Sequence, residues 1–126
     1  MEIPAIGISW VWQCILSGKE AEMITVLVRF KLPDGVGSEQ YKKTAEEAAP
    51  RFQGMQGLKT KYFLYNEEGY GGGFYVWESR EQAEALYTEG WADAMQERMA
   101  SRPEVTYFET SVVVDNESGA IRVEAA

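Results

Sequence analysis

The sequence predicts an α+β fold in the order βαββαβ, the ferredoxin-like arrangement, with an antiparallel sheet and its helices on one face. Three observations predict it. Residues 24–32 alternate, with Ile24, Val26, Val28 and Phe30 on one face and Thr25, Leu27, Arg29 and Lys31 on the other, which is the period of a strand. Residues 58–78, LKTKYFLYNEEGYGGGFYVWE, set two runs rich in Tyr, Phe, Val and Trp on either side of an Asn/Glu/Gly cluster, the mark of a β-hairpin with a fairly long loop. Helical spacing follows both the first strand and this hairpin, and a last strand closes the set.

Taken in order, Pro33-Asp34-Gly35 stops the first strand. From Ser38 to Phe52 the pattern is helical: Tyr41, Ala45, Ala48 and Phe52 recur on one side, while Glu39, Lys42, Lys43, Glu46 and Glu47 take the wet side. Pro50 lacks a backbone donor and its ring collides with the preceding turn, so the helix should kink or finish near Ala49, leaving Arg51 and Phe52 at its end. Gly54 and Gly57 turn the chain into the hairpin, whose strands are expected over residues 58–66 and 72–78. In the first of them Tyr62 is expected to share a face with Leu58, Thr60 and Leu64, and Tyr65 to share the other with Phe63. Gly71, Gly72 and Gly73 do not form a phosphate cradle, since a strand rather than a helix follows them; a bulge or the close approach of another backbone fits better.

Ser79 and Gln82 make a capping box for a helix that runs to about Thr88 and buries Ala83, Leu86 and Tyr87. Gly90 is either its C-terminal glycine or a link to a further helical segment, in which Trp91, Ala94, Met95, Arg98 and Met99 repeat at helical spacing. Arg102-Pro103 ends that segment. The last strand is expected over residues 105–114, and residues 117–126 read as a tail. The folded domain is thus expected to span residues 23–116 of the 126. Residues 1–22, apolar from Ile3 to Leu16 with Trp10 and Trp12, leave three readings open: an element packed on the domain, an upstream extension, or a membrane-facing anchor.

One strand does not alternate. Phe74, Tyr75, Val76 and Trp77 are all large and mostly apolar, so both faces of the sheet must be covered there. The chain's own helices can cover one face, but a single domain of this length has no elements left for the other, and a second copy is expected to cover it in a homodimer with two sheets face to face.

Composition narrows the chemistry. The net charge of -8 disfavours nucleic acid as a partner, because counterion release needs a cationic stripe. There is no histidine and Cys14 is the only cysteine, so one chain can build neither a His- or Cys-based metal site nor an imidazole-dependent triad, and no metal or other cofactor is expected. A lone cysteine forms no disulfide within the chain, which fits a cytoplasmic location without membrane attachment of the domain.

The first strand ITVLVRF, the turn and strand GLKTKYFLYN, the glycine-led strand GGGFYVWES and the helix REQAEALY together resemble the dimeric α/β-barrel superfamily, and within it the small monooxygenase-like proteins of the YdhR type, related more distantly to the antibiotic-biosynthesis monooxygenases. The resemblance covers residues 24–116. It implies a dimer with a pocket in each subunit between sheet and helices. It also implies an activity among cofactor-free oxygenases, haem-degrading enzymes, lactone isomerases and decarboxylases, or none. The branches that rely on a histidine do not fit this chain. What remains is an oxygenase-type enzyme for a small aromatic or polyketide-like compound, a binding protein for a hydrophobic metabolite, or an isomerase or lyase with a tyrosine or carboxylate base. For the first of these, Tyr62, Asn66 and Arg51 are the candidate catalytic contacts, and Tyr75, Trp77, Tyr87, Trp91 and Phe52 the candidate substrate-binding wall. Each of these residues also has an ordinary explanation in packing, turn formation or surface pairing.

Overall fold

The computed structural model describes residues 23–124. The elements are β1 (Ile24–Lys31), α1 (Ser38–Ala48) with a 3-10 turn (Ala49–Phe52), β2 (Leu58–Asn66), β3 (Tyr70–Trp77), α2 (Arg80–Leu86), α3 (Glu89–Arg98), β4 (Glu104–Glu109), β5 (Val112–Asp115) and β6 (Ala120–Val123). The first four strands form one sheet in the order β2-β3-β1-β4, with every neighbouring pair antiparallel. This is the ferredoxin-like order expected from the sequence. The three readings of residues 1–22 fall outside the described residues.

Alternation in β1 sets the layers. Ile24, Val26, Val28 and Phe30 are buried and, with Tyr41 of α1, Ala83 of α2 and Tyr75 and Trp77 of β3, form the core. Helix α1 changes to the 3-10 turn at Ala49, one residue before Pro50, as the missing donor and the ring clash require. The Ser79 hydroxyl accepts from the Gln82 backbone N–H at 3.2 Å and donates to its Oε1 at 3.1 Å, closing the N-terminus of α2. Thr88 caps α3 in the same way, accepting from Trp91 N–H at 3.2 Å. Gly90 is therefore within the first turn of α3, not at the C-terminus of α2.

The three consecutive glycines of β3 serve a close approach. The Tyr41 hydroxyl donates to the Gly72 carbonyl at 2.9 Å and accepts from the Gly72 N–H at 3.3 Å. A Cβ on Gly71 would stand 2.8 Å from the Tyr41 ring, and one on Gly72 would run into the backbone carbonyl of Val28.

Two expectations are corrected. A bulge between Leu58 and Thr60 turns Leu58 to the helix side, opposite Trp77, whereas Thr60, Tyr62 and Leu64 face away from the helices. The expected strand over 105–114 is two strands: pairing with β1 ends at Glu109, and β5 then pairs with β6, where a tail was expected. The turn between them is held by Asp115, whose Oδ1 accepts from Glu117 N–H at 3.0 Å and Ser118 N–H at 3.3 Å. By register Val112 lies opposite Val123 and Val114 opposite Ile121, so the ribbon has one apolar face, and all four residues are exposed.

The outer face of the main sheet is likewise uncovered by the helices. Tyr62, Leu64 and Phe108 are 57%, 39% and 48% exposed there, beside the half-buried Leu27, Phe74 and Val76.

Candidate functional site

On the helix side, aromatic rings run in a chain from the 3-10 turn to α3. Phe52 meets Phe63 and Tyr75 edge-on, with centroids 6.0 and 6.2 Å apart. Tyr75 stacks on Trp77 at 6.3 Å and meets Tyr87 edge-on at 5.3 Å, and Tyr87 meets Trp91 at 5.2 Å. Edge-to-face contacts place the positive ring edge on the negative face and add to the burial of these large surfaces. The Trp77 indole N–H donates to the Tyr87 hydroxyl at 3.0 Å, which satisfies the donor of the most deeply buried ring of the cluster. Burial raises the pKa of the Tyr75 and Tyr87 hydroxyls, and in Tyr87 the hydrogen bond from Trp77 offsets part of the rise. Both phenols are therefore neutral at physiological pH.

The cluster opens to solvent at its Phe52 end. A pocket of about 520 Å³ lies between the end of α1, the 3-10 turn and the edge strand β2, lined by Glu46, Pro50, Phe52, Gln53, Lys61 and Phe63 among others. Its most unusual member is Lys61. The Nζ is 3.5 Å from the centroid of Phe52, 3.9 Å from that of Phe63 and 4.6 Å from that of Tyr75. Lys61 reaches this cage because it shares the helix-facing side of β2 with Phe63 and Tyr65 and because its Cε passes over Gly73, where a Cβ would stand 3.2 Å from it. Among the described residues no carboxylate forms an ion pair with it. Burial lowers its pKa from 10.5 to about 7, and the nearby Arg51 guanidinium pushes in the same direction. The three ring faces favour the ammonium and work against that shift.

The structure thus brings Phe52, Tyr75, Trp77, Tyr87 and Trp91 into one array and puts only Phe52 of these on the pocket wall. Arg51 is exposed beside the pocket and within electrostatic reach of Lys61. Tyr62 and Asn66 are elsewhere. Tyr62 projects from the outer face next to Phe74, at 6.5 Å. Asn66 organises the β2–β3 turn, its Oδ1 accepting from Glu68 N–H at 2.9 Å and Tyr70 N–H at 3.4 Å. Lys61 was not among the residues singled out from the sequence, since a lysine on a strand reads as solvent-facing; the signal available was that Lys61, Phe63 and Tyr65 follow one another at two-residue intervals, on one face of the strand. Among the described residues no group of three or more His, Cys, Asp or Glu side chains is placed to hold a metal ion.

Two solved structures share this architecture. Both are of proteins provisionally assigned as antibiotic biosynthesis monooxygenases: one from Caulobacter crescentus, with a TM-score of 0.55 and 18% identity over 71% of this chain and 91% of that one. The other, from Bordetella bronchiseptica, gives 0.53 and 16% over 71% and 97%. The likeness is one of fold. No protein-family model and no curated protein matches the chain in sequence.

Proposed function

We propose that the chain is a monooxygenase-like enzyme acting, without a bound cofactor, on a small flat aromatic or polyketide-like compound. The observation that carries this is the aromatic-walled pocket with Lys61 and Arg51 beside it, on a fold shared with proteins that bear a monooxygenase name. Such a pocket suits a planar substrate, which would lie against Phe52 and Phe63. The Arg51 guanidinium beside the pocket, and Lys61 while it carries its proton, suit the oxyanion of an ionised phenol or enol, whose charge they would stabilise. The substrate anion then transfers one electron to dioxygen. Recombination of the radical pair forms a C–O bond, and cleavage of the O–O bond with loss of water turns a CH2 group into a carbonyl. One O2 is consumed and one water released, and the substrate supplies all four electrons.

The narrower assignment to the YdhR type rests on the resemblance of ITVLVRF, GLKTKYFLYN, GGGFYVWES and REQAEALY taken together and belongs to the same proposal. So does the homodimer. Tyr62, Leu64 and Phe108 on the sheet, together with the apolar face of the β5–β6 ribbon, are surfaces that a second copy would bury. A two-stranded ribbon is marginal by itself, which favours cover from a partner. In this arrangement Tyr62 is an interface residue and Asn66 a turn residue.

The test is oxygen uptake by chelator-treated protein with anthrones and hydroquinones, with the quinone product followed by absorbance. Uptake that falls at least about tenfold in Phe52→Ala, with near-ultraviolet circular dichroism retained, supports the proposal. No uptake across the panel overturns it.

A further inference from the structure

We propose that Lys61 is a nucleophilic amine that captures aldehydes or ketones as imines within the Phe52–Phe63 pocket. This goes beyond the oxygenase reading and concerns carbonyl compounds as a ligand class, whether substrate or product.

Geometry carries it. The amine is at the end of a side chain laid over Gly73, held among three rings, and it lines a pocket large enough for a one-ring compound. Lysines become nucleophilic when an apolar site strips their water or a neighbouring cation disfavours their charge, and both conditions hold at Lys61. No carboxylate among the described residues pairs with it to hold the ammonium. The other charged groups on the pocket wall are Glu46 from α1 and Lys59 from β2, with the exposed Arg51 of the 3-10 turn beside it and the Tyr75 ring, whose phenol is neutral, 4.6 Å from Nζ.

The step balances without a co-reactant. The nitrogen lone pair of the neutral amine attacks the carbonyl carbon, the C=O π bond breaks, and a proton passes from nitrogen to oxygen to give a carbinolamine. Loss of that hydroxyl as water, with a second proton from nitrogen, leaves a C=N bond. Hydrolysis reverses both steps. The flat aromatic walls favour aryl aldehydes and ketones, whose ring stacks beside Phe52 while the carbonyl reaches Nζ.

Reductive trapping tests this. The full chain is incubated with benzaldehyde and sodium cyanoborohydride, which reduces an imine to a stable secondary amine, and the adducts are located by peptide mass mapping. At pH 7 Lys61 is expected to label at least about tenfold faster than Lys42, Lys43 and Lys59, because an ordinary lysine is almost wholly protonated there. The chain's α-amino group, with an ordinary pKa of about 7.7–8.0, is the internal standard. The Lys61 rate should rise with a midpoint near neutrality, and Lys61→Arg should remove that adduct alone. Phe52→Ala, which keeps the amine, removes both part of the burial that lowers the Lys61 pKa and one ring face that favours the ammonium, and because burial is the larger cause the midpoint should move upward. Labelling that follows lysine exposure, or a Lys61 adduct that forms only above pH 9, overturns the proposal. Trapping without oxygen uptake would sink the oxygenase reading and leave this one standing.

Discussion

The two faces of one sheet differ sharply. On the helix side Ile24, Val26, Tyr75 and Trp77 are each no more than 3% exposed, and the Trp77 indole N–H is paired with the Tyr87 hydroxyl. On the other side, register neighbours such as Phe74 and Val76 are half-buried, and Tyr62 and Phe108 stand about half exposed. Strand β3 supplies large side chains to both. The difference teaches that large side chains on both faces of a strand do not by themselves say which face the chain's own helices cover; here they cover one.

The largest expected effect of breaking this contrast lies on the covered side. Trp77→Ala should cost about 3–5 kcal/mol, since it empties the centre of the aromatic array and strands the Tyr87 hydroxyl, and a urea titration would read it as a lower midpoint. A similar truncation on the outer face should do little to the fold of one chain. There the sharper change is Tyr62→Asp combined with Phe108→Asp. The pair of substitutions is expected to shift sedimentation from a two-chain to a one-chain species and to abolish the dependence of melting temperature on protein concentration, with secondary structure retained. A wild-type chain that sediments singly at every concentration would remove the homodimer from the proposed function.

A smaller effect concerns pH. The folded-state pKa of Lys61 is depressed, so between about pH 7 and 10.5 the unfolded chain binds more protons than the folded one, and stability from this group rises with pH across that window. Below pH 7 the full penalty of burying the ammonium applies. The raised phenols of Tyr75 and Tyr87 act oppositely: their contribution is intact below pH 10 and is lost above it. Melting temperature should therefore climb from neutral to mildly alkaline pH and then fall, and Lys61→Met should flatten the climb while leaving the alkaline fall.

Much of the fold is legible because its signals are local. Alternation in β1, Pro50 at the end of α1 and the Ser79–Gln82 box each act within one turn or strand and appear where the sequence predicts them. The breaks are less legible. The sequence predicts one strand through Glu109, Thr110 and Ser111, whereas pairing with β1 ends at Glu109, opposite Ile24, and Val112 starts a second strand. The bulge at the start of β2 reverses the side taken by Leu58, a tertiary matter decided by its pairing opposite Trp77. Of the site, the aromatic residues could be named from the sequence as apolar content. The Lys61 cage could not, because Phe52 arrives from one element, Phe63 from another and Tyr75 from a third, and only their meeting turns an ordinary lysine into an unusual one.

The position of β2 at the rim of the sheet carries one more consequence. An unpaired rim offers a row of free amides to any passing extended chain, and folded proteins discourage such addition with irregular starts and with charges turned inward. β2 has both, a bulge at its first residues and Lys61 on its concealed side. Replacing that lysine with methionine should thus yield a protein that is harder to melt at neutral pH and yet quicker to become turbid on heating, because the residue that weakens the monomer's interior also keeps strangers from extending its sheet.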